Sequence, residues 1–559
     1  MRQPAISKTK IILSAITFGL ALSQSARCAT TEQLPENVKT GWDTVKQNDI
    51  RKDLTYLTSD SMAGRLAATS GDEKATQWLV EQFRQAGLKP GNGDNYLQTF
   101  NVIEYQPDFK NTIVQLERDG KTVSWKKPQV FTEFHRNLDV SGDVVFAGYG
   151  ITAPALNYDD YRNIDVKGKL VLIFEHEPQE RDANSIFNGT GNTPYATTRV
   201  KAMNAQQRGA IAVLIAPEPN RKHPSNADRR ARIGGAIKRK TPLPEMVLEN
   251  DELQIPVVVL SDQAAKVIAG KLTLSALQMA IDKNLQPQSQ PVAHATVTVH
   301  ERVVSSKKVA TSNVVGVLEG TDPTLKSETI IISAHHDHDG MYGKKIWHGA
   351  DDNGSGTIGV VAAARALVAN TSAENGLQPK RSILFAVFAA EERGLLGSYY
   401  MGAHPLRSLD TTRAMINFDM IGRDEKPSKQ TKGLIDIPKN THNRLNLIGA
   451  HFSPEYDLVV KEQNKYVGLT LDDRFDNENA LNTFFRSDQF PFILNEIPAF
   501  WWFTGFHPDY HHITDTAEKI DYPKMRKIIR LAYLSAYQFA NSDIPPKFIS
   551  HPRPAARAH

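Results

Sequence analysis

The hydrophobic pattern divides the chain into two kinds of segment. From about residue 310, continuous apolar runs alternate with longer helical stretches. Thr329 to Ala334, Ile383 to Phe388 and Arg413 to Phe418 read as buried strands, and Gly354 to Ala369, rich in Ala, Val and Leu, reads as a helix. Apolar strands without alternation, separated by helices, predict a mostly parallel sheet covered on both faces. Between about 140 and 280 the runs are short and strand-like: Val144 to Gly150, Lys169 to Phe174, Ile211 to Ile215 and Ile255 to Leu260. They bring no chemical constellation with them and predict an inserted β-rich module. Residues 45 to 90 read as helical; Ala75, Trp78, Leu79, Phe83 and Ala86 fall at helical spacing and Gly87 ends the run.

The expected organisation is an export signal over 1–29, a first catalytic segment over 40–130, the inserted module over 135–285, the main catalytic segment over 300–545 and a disordered tail over 546–559. At 559 residues the chain exceeds a single compact core. Its formal charge of +4 is concentrated at the N-terminus: Arg2, Lys8, Lys10 and Arg27 precede residue 30 and no acid accompanies them. The remainder is near neutral, so nothing draws the protein to nucleic acid or to a membrane surface. The basic start, the apolar run from Ile11 to about Leu22 and the small residues to Ala29 read as a signal peptide, too short to span a bilayer. The expected location is periplasmic or secreted, with no integral membrane segment once the signal is removed. Cys28 is the only cysteine, which excludes an intramolecular disulfide and any thiolate metal ligand elsewhere.

Five segments of the C-terminal half carry the chemistry: Ala334–Asp337, Gly349–Gly356, Ala390–Glu392, Asn417–Met420 and Tyr510–His511. Taken singly each has a plain alternative: Asp351-Asp352-Asn353-Gly354 is as good a turn, and Glu391-Glu392 as good a helix start. Their joint occurrence, each where a strand gives way to a loop, reads as a two-metal hydrolase. His335 is expected as a ligand with Asp337 fixing its tautomer, Asp351 as the carboxylate shared by two ions, and Asp419 and Glu392 as one private carboxylate each. His511 supplies the second imidazole. Glu391 is then free to act as general base, and Tyr510 to donate to the oxyanion. His336, His338, His348, His507 and His512 are read as structural. Two zinc ions are expected; manganese or cobalt would suit the same donors.

On these residues the chain resembles the di-zinc exopeptidases of metallopeptidase family twenty-eight. Asp60 to Arg65 and Gly87 to Pro90 match that family's N-terminal segment, and about 140 to 275 is similar to the protease-associated domain that some members insert. The resemblance implies the ligand set above, a cis peptide after Asp351 and a substrate-facing Arg486. It implies a mixed, mostly parallel α/β fold and peptide substrates, with aminopeptidase activity ahead of a glutamate-carboxypeptidase type. Glutaminyl cyclisation and a non-catalytic receptor are further alternatives, and the oligomeric state is left open. The basic stretch from Arg221 to Lys240 is the place where a carboxylate-binding cluster would be sought, and Asp472 to Glu478 is read as an exposed loop.

Overall fold

The computed structural model describes residues 33–132, 134–234 and 243–550. The expected signal peptide and the last nine residues of the tail lie outside them.

Two sheets organise the molecule. The larger runs, edge to edge, through Glu245–Leu248, Leu97–Pro107, Val303–Leu318, Ser382–Phe388, Thr329–His335, Thr412–Phe418, Ala499–Phe503, Arg444–Ile448 and Thr470–Asp472. Its four central strands, from Ser382–Phe388 to Ala499–Phe503, are mutually parallel. The flanks are mainly antiparallel, so the parallel character is confined to the centre. The central strands are buried along their whole length because both faces are covered. Ile330, Ile332 and Ala334 enter the core formed with helices Ser70–Ala86, Gly356–Thr371 and Tyr522–Asn541, whereas Ile331 enters the opposite core with Met401, Phe490 and Phe492. Phe500 and Trp502 alternate with Trp501 and Phe503 in the same way. Helix Ser70–Ala86 ends as its sequence predicts: Gly87 takes the left-handed conformation, and its N–H and that of Leu88 bond back to Arg84 and Phe83.

The second sheet belongs to the inserted module. Its order is Lys121–Trp125, Ile113–Arg118, Gln290–Glu301, Leu138–Phe146, Leu170–Phe174, Ala212–Ala216, Val257–Leu260 and Val130–Thr132. That sheet draws on strands from Ile113 to Glu301, beyond the 135–285 expected for the module. The hairpin Ile113–Trp125 falls within the expected first catalytic segment, yet it pairs with Gln290–Glu301 of this sheet. The ladder between Leu97–Pro107 and Val303–Leu318 closes the insertion. In return the module lends the strand Glu245–Leu248 to the edge of the larger sheet.

Two further expectations change. Residues 546–550, placed in the disordered tail, pack: Phe548 stacks on Phe452 and the Ile549 N–H bonds to the Phe452 carbonyl. The stretch Asp472–Glu478 is not an exposed loop. Asp476 is buried and accepts from the N–H groups of Gly449 and His451, and Asp472 pairs with Arg444.

Candidate metal centre

The four parallel strands end on one edge, where their following residues converge. His335 is the last residue of its strand, Asp419 directly follows another, and Glu391 and Glu392 stand three and four residues beyond a third. Ala390, Met420 and His511 all hold positive φ, a conformation costing such residues about 1 kcal/mol or more each.

Asp352 lies between the two imidazoles. Its Oδ1 is 3.5 Å from His335 Nε2 and its Oδ2 is 3.2 Å from His511 Nε2. On the His335 side, Glu391 Oε2 and Asp419 Oδ1 are 3.7 and 3.8 Å from Nε2; on the His511 side, Glu392 Oε2 is 3.4 Å away. Donor atoms held about 2.0 Å from one tetrahedral ion stand about 3.3 Å apart, so these spacings suit ligands around a cation. His335 Nε2 is buried and makes no hydrogen bond, leaving its lone pair free for such an ion.

The carboxylate that lies between the two imidazoles is therefore Asp352, and not the expected Asp351. Asp351 turns the other way: its Oδ1 accepts from the Gly422 N–H at 2.7 Å, and its Oδ2 lies 3.2 Å from His507 Nε2. The cis peptide likewise follows Asp352. Asp515 holds the pair in place, one oxygen accepting from both the Asp351 and the Asp352 N–H. Asp337 lies against His335, its Oδ1 3.7 Å from Nδ1, and does more besides: its carboxylate accepts from the N–H groups of Glu391 and Glu392, and His335 Nδ1 also faces the Asp337 backbone carbonyl at 3.3 Å.

Several positioning residues escaped sequence reasoning. His338, read as structural, places Nδ1 2.8 Å from Glu392 Oε1. Asp339 holds His511 Nδ1 at 2.8 Å, and Ser487 donates to Asp419 at 2.6 Å. Arg65 is fully buried and bonds to the carbonyls of Leu57, His336, His348 and Gly349, tying both ligand-bearing loops to the N-terminal segment. Alternation in His335-x-Asp337-x-Asp339 was the available signal for Asp339; nothing local marked Arg65 beyond its place in the Asp60–Arg65 segment. His336 is structural as expected, packed against Thr76 and Asp72.

The electrostatics follow from burying four carboxylates beside two imidazoles. Burial raises Glu391 well above the ordinary carboxylate range; His335 opposes this, and Glu392, Asp419 and Asp488 add to it. Burial also disfavours ionised Asp352, but His511, His338 and His335 outweigh it and hold the group well below its usual value. Burial alone would lower His335, yet Glu391, Asp337 and Asp419 raise it strongly. Excess negative charge in a dry pocket calls for cations.

Beside this cluster opens a cavity of about 500 Å³ between module and catalytic domain, bordered by Arg199, Leu395, Tyr399, Phe485, Arg486 and Phe490 among others. Arg486 donates to the Tyr510 hydroxyl at 3.2 Å, and the Tyr510 ring packs against His511. The cavity thus meets the cluster at the Arg486–Tyr510 pair.

Residues 313–535 match the model of peptidase family M28, and residues 140–268 that of the PA domain. The chain carries an M28 peptidase domain with a PA domain inserted into its fold. It is 23% identical over 433 residues to a protein of Caenorhabditis briggsae named glutamate carboxypeptidase 2 homolog, a match covering 68% of this chain and 52% of that one. It is 29% identical over 231 residues to leucine aminopeptidase 2 of Arthroderma otae, covering 41% and 40%. The chain spans about half the length of the first relative and two fifths of the second. Among solved structures, an aminopeptidase from Aneurinibacillus sp. strain AM-1 aligns with 92% of this chain and 98% of its own, at 20% identity and a TM-score of 0.49. Among the described residues no single helix is long and apolar enough to cross a membrane.

Proposed function

We propose that this protein is a two-zinc aminopeptidase that removes N-terminal residues from peptides. The observation that carries the reading is Asp352, whose two oxygens face two separate groups of donors. His335 and Asp419 would hold one ion, His511 and Glu392 the other, and Asp352 both. Their bound zinc would acidify water and polarise the scissile carbonyl. The four carboxylates Asp352, Glu391, Glu392 and Asp419 offset the charge of two divalent ions, and manganese or cobalt would satisfy the same donors.

The chain's own groups perform the rest. Glu391, on the His335 side with its carboxylate unshared by the His511 side, takes the proton of the attacking water. It then returns that proton to the leaving nitrogen as the C–N bond breaks. Because Arg486 donates to the Tyr510 oxygen, the Tyr510 proton is left to point at the carbonyl oxygen as charge develops there. Asp419 and Glu391 form the acidic side that a free α-ammonium group would meet.

A carboxypeptidase would instead need a basic cluster with donors to spare. Arg199 is engaged with both oxygens of Asp251, and Arg229 with the Asn479 and Ala480 carbonyls, which supports the aminopeptidase. Arg486 and Arg232 at the same cavity, with the longer match to a carboxypeptidase homolog, support the second reading. We place the protein outside the cytoplasm on the strength of its N-terminal sequence. The deciding experiment supplies zinc and compares an aminoacyl anilide, its N-acetylated form and a peptide with a free C-terminal carboxylate. Hydrolysis of the free amine alone supports the aminopeptidase. Indifference to acetylation with a need for the carboxylate moves the activity to the other end of the peptide. No turnover of any of the three rejects both.

A further inference from the structure

A second buried cluster of metal-ligating side chains lies in the inserted module, where it meets the catalytic domain. His176 and Glu180 follow the strand Leu170–Phe174, Glu218 follows Ala212–Ala216, and His223 lies five residues on. One donor atom from each of the four falls within 4.8 Å of all the others. His176 Nδ1 is 2.9 Å from Glu218 Oε1 and 3.4 Å from Glu180 Oε2, and His223 Nε2 is 2.7 Å from Glu180 Oε1. Glu218 is fully buried, yet neither of its oxygens makes a hydrogen bond; nor does His176 Nδ1 or Glu180 Oε2. A buried carboxylate without a hydrogen bond is costly unless a cation answers it. The same signature marks the metal centre described above, where His335 Nε2 is also unbonded among carboxylate oxygens.

The other charged groups around the cluster are already committed. Lys201 Nζ donates to the Phe174 and His176 carbonyls, Glu175 accepts from the Asn226 N–H, and Glu177 accepts from the Thr193 N–H. Two imidazoles and two carboxylates are donors that zinc accepts; they neutralise one divalent ion and complete a four-coordinate shell. The geometry points to such a site: we infer that His176, Glu180, Glu218 and His223 bind one zinc ion in the module, close to where it meets the catalytic domain. His223 is prepared for this, because its Nδ1 faces the Pro224 carbonyl and leaves Nε2 as the ligand. Arg229 lies between the cluster and the catalytic domain. Its guanidinium contacts both rings, through Nη1 to His176 Nε2 at 2.7 Å and Nη2 to His223 Nδ1 at 3.1 Å, and bonds the Asn479 and Ala480 carbonyls of the catalytic domain. A guanidinium only donates. Coordination through His176 Nδ1 and His223 Nε2 therefore moves Nη1 wholly onto Asn226 Oδ1 and Nη2 onto the Asn479 carbonyl, already 2.7 and 2.9 Å away, or makes a ring an imidazolate.

The test uses the full chain with the first centre disabled. Asp352→Ala combined with His335→Ala is saturated with zinc, freed of excess by gel filtration and analysed for metal. About one zinc per chain should remain, and adding Glu218→Gln should remove it. Cobalt in the same background should give the intense visible bands of a four-coordinate ion, and zinc should raise its melting temperature only while Glu218 is present. Circular dichroism reports whether the triple variant folds; if it does not, the cobalt spectrum of the double variant decides. No retained metal in the double variant, or retention that ignores Glu218→Gln, overturns the site.

Discussion

Asp352 offers one carboxylate oxygen to His335 and the other to His511, while its neighbour Asp351 bonds the backbone of Gly422 on the opposite side. Asp352→Asn should abolish hydrolysis and lower the zinc content. Asp351→Asn keeps an acceptor for Gly422 and should hold its metal, losing about 1 kcal/mol of stability. Zinc analysis and melting curves on the two variants separate them; the reverse pattern would return the bridging role to Asp351.

Glu391 and Tyr510 are expected to act on the rate and not on the metal. Glu391→Gln should lower kcat by about 10² to 10⁴, and Tyr510→Phe by about 10². Both should keep their full zinc content. Steady-state kinetics beside metal analysis check this, and loss of zinc in Glu391→Gln would make that residue a ligand instead of a base.

His338 supports Glu392 through a 2.8 Å contact. Its replacement by alanine should weaken zinc binding about 10- to 100-fold, as loss of an outer partner of a ligand does. Competition with a chromophoric chelator measures the shift, and unchanged affinity would leave His338 with a packing role only.

Arg65 is a buried cation whose partners are carbonyls of three different segments. Burial lowers it to about 10, and Asp337 and Asp352 act against that fall. Arg65→Met leaves those carbonyls unanswered and should cost about 3 kcal/mol or more. Chemical denaturation measures it, with zinc affinity expected to fall in parallel.

Glu328 supplies a pH dependence remote from the site. Hydrogen bonds from Arg413 and Arg381 hold its carboxyl below the usual range. A depressed folded value means that the stabilisation is complete above the unfolded value of about 4.3 and is lost as pH falls through the folded one. Glu328→Gln should therefore lower stability at pH 7 by about 1 kcal/mol, modest because the group reaches solvent. It should also flatten the acid limb of the stability profile below about pH 4.3. An unchanged acid limb would assign the depressed value to another group.

The strand–loop–helix alternation and the residue types that meet at the cluster were legible in the sequence because buried parallel strands leave unbroken apolar runs and end at one edge. The choice between Asp351 and Asp352 was not. Consecutive residues point to opposite sides, and which side faces the cluster is decided by contacts with Gly422 and Asp515, 71 and 163 residues away. The reach of the second sheet beyond 135–285 is a related case: the hairpin Ile113–Trp125 joins it by pairing with Gln290–Glu301, a partner no local pattern announces. The Arg65 bonds to the site loops reach carbonyls 271 to 284 positions further on, beyond the reach of any motif.

The strand Glu245–Leu248 gives the inserted module a part in the catalytic domain's solubility. It covers the edge of Leu97–Pro107, which would otherwise present an open row of N–H and C=O groups. Excising the module would thus leave a sticky template for chain-to-chain pairing in place of a smaller peptidase. In a lineage that dispensed with it, some other segment would first have to take over that edge.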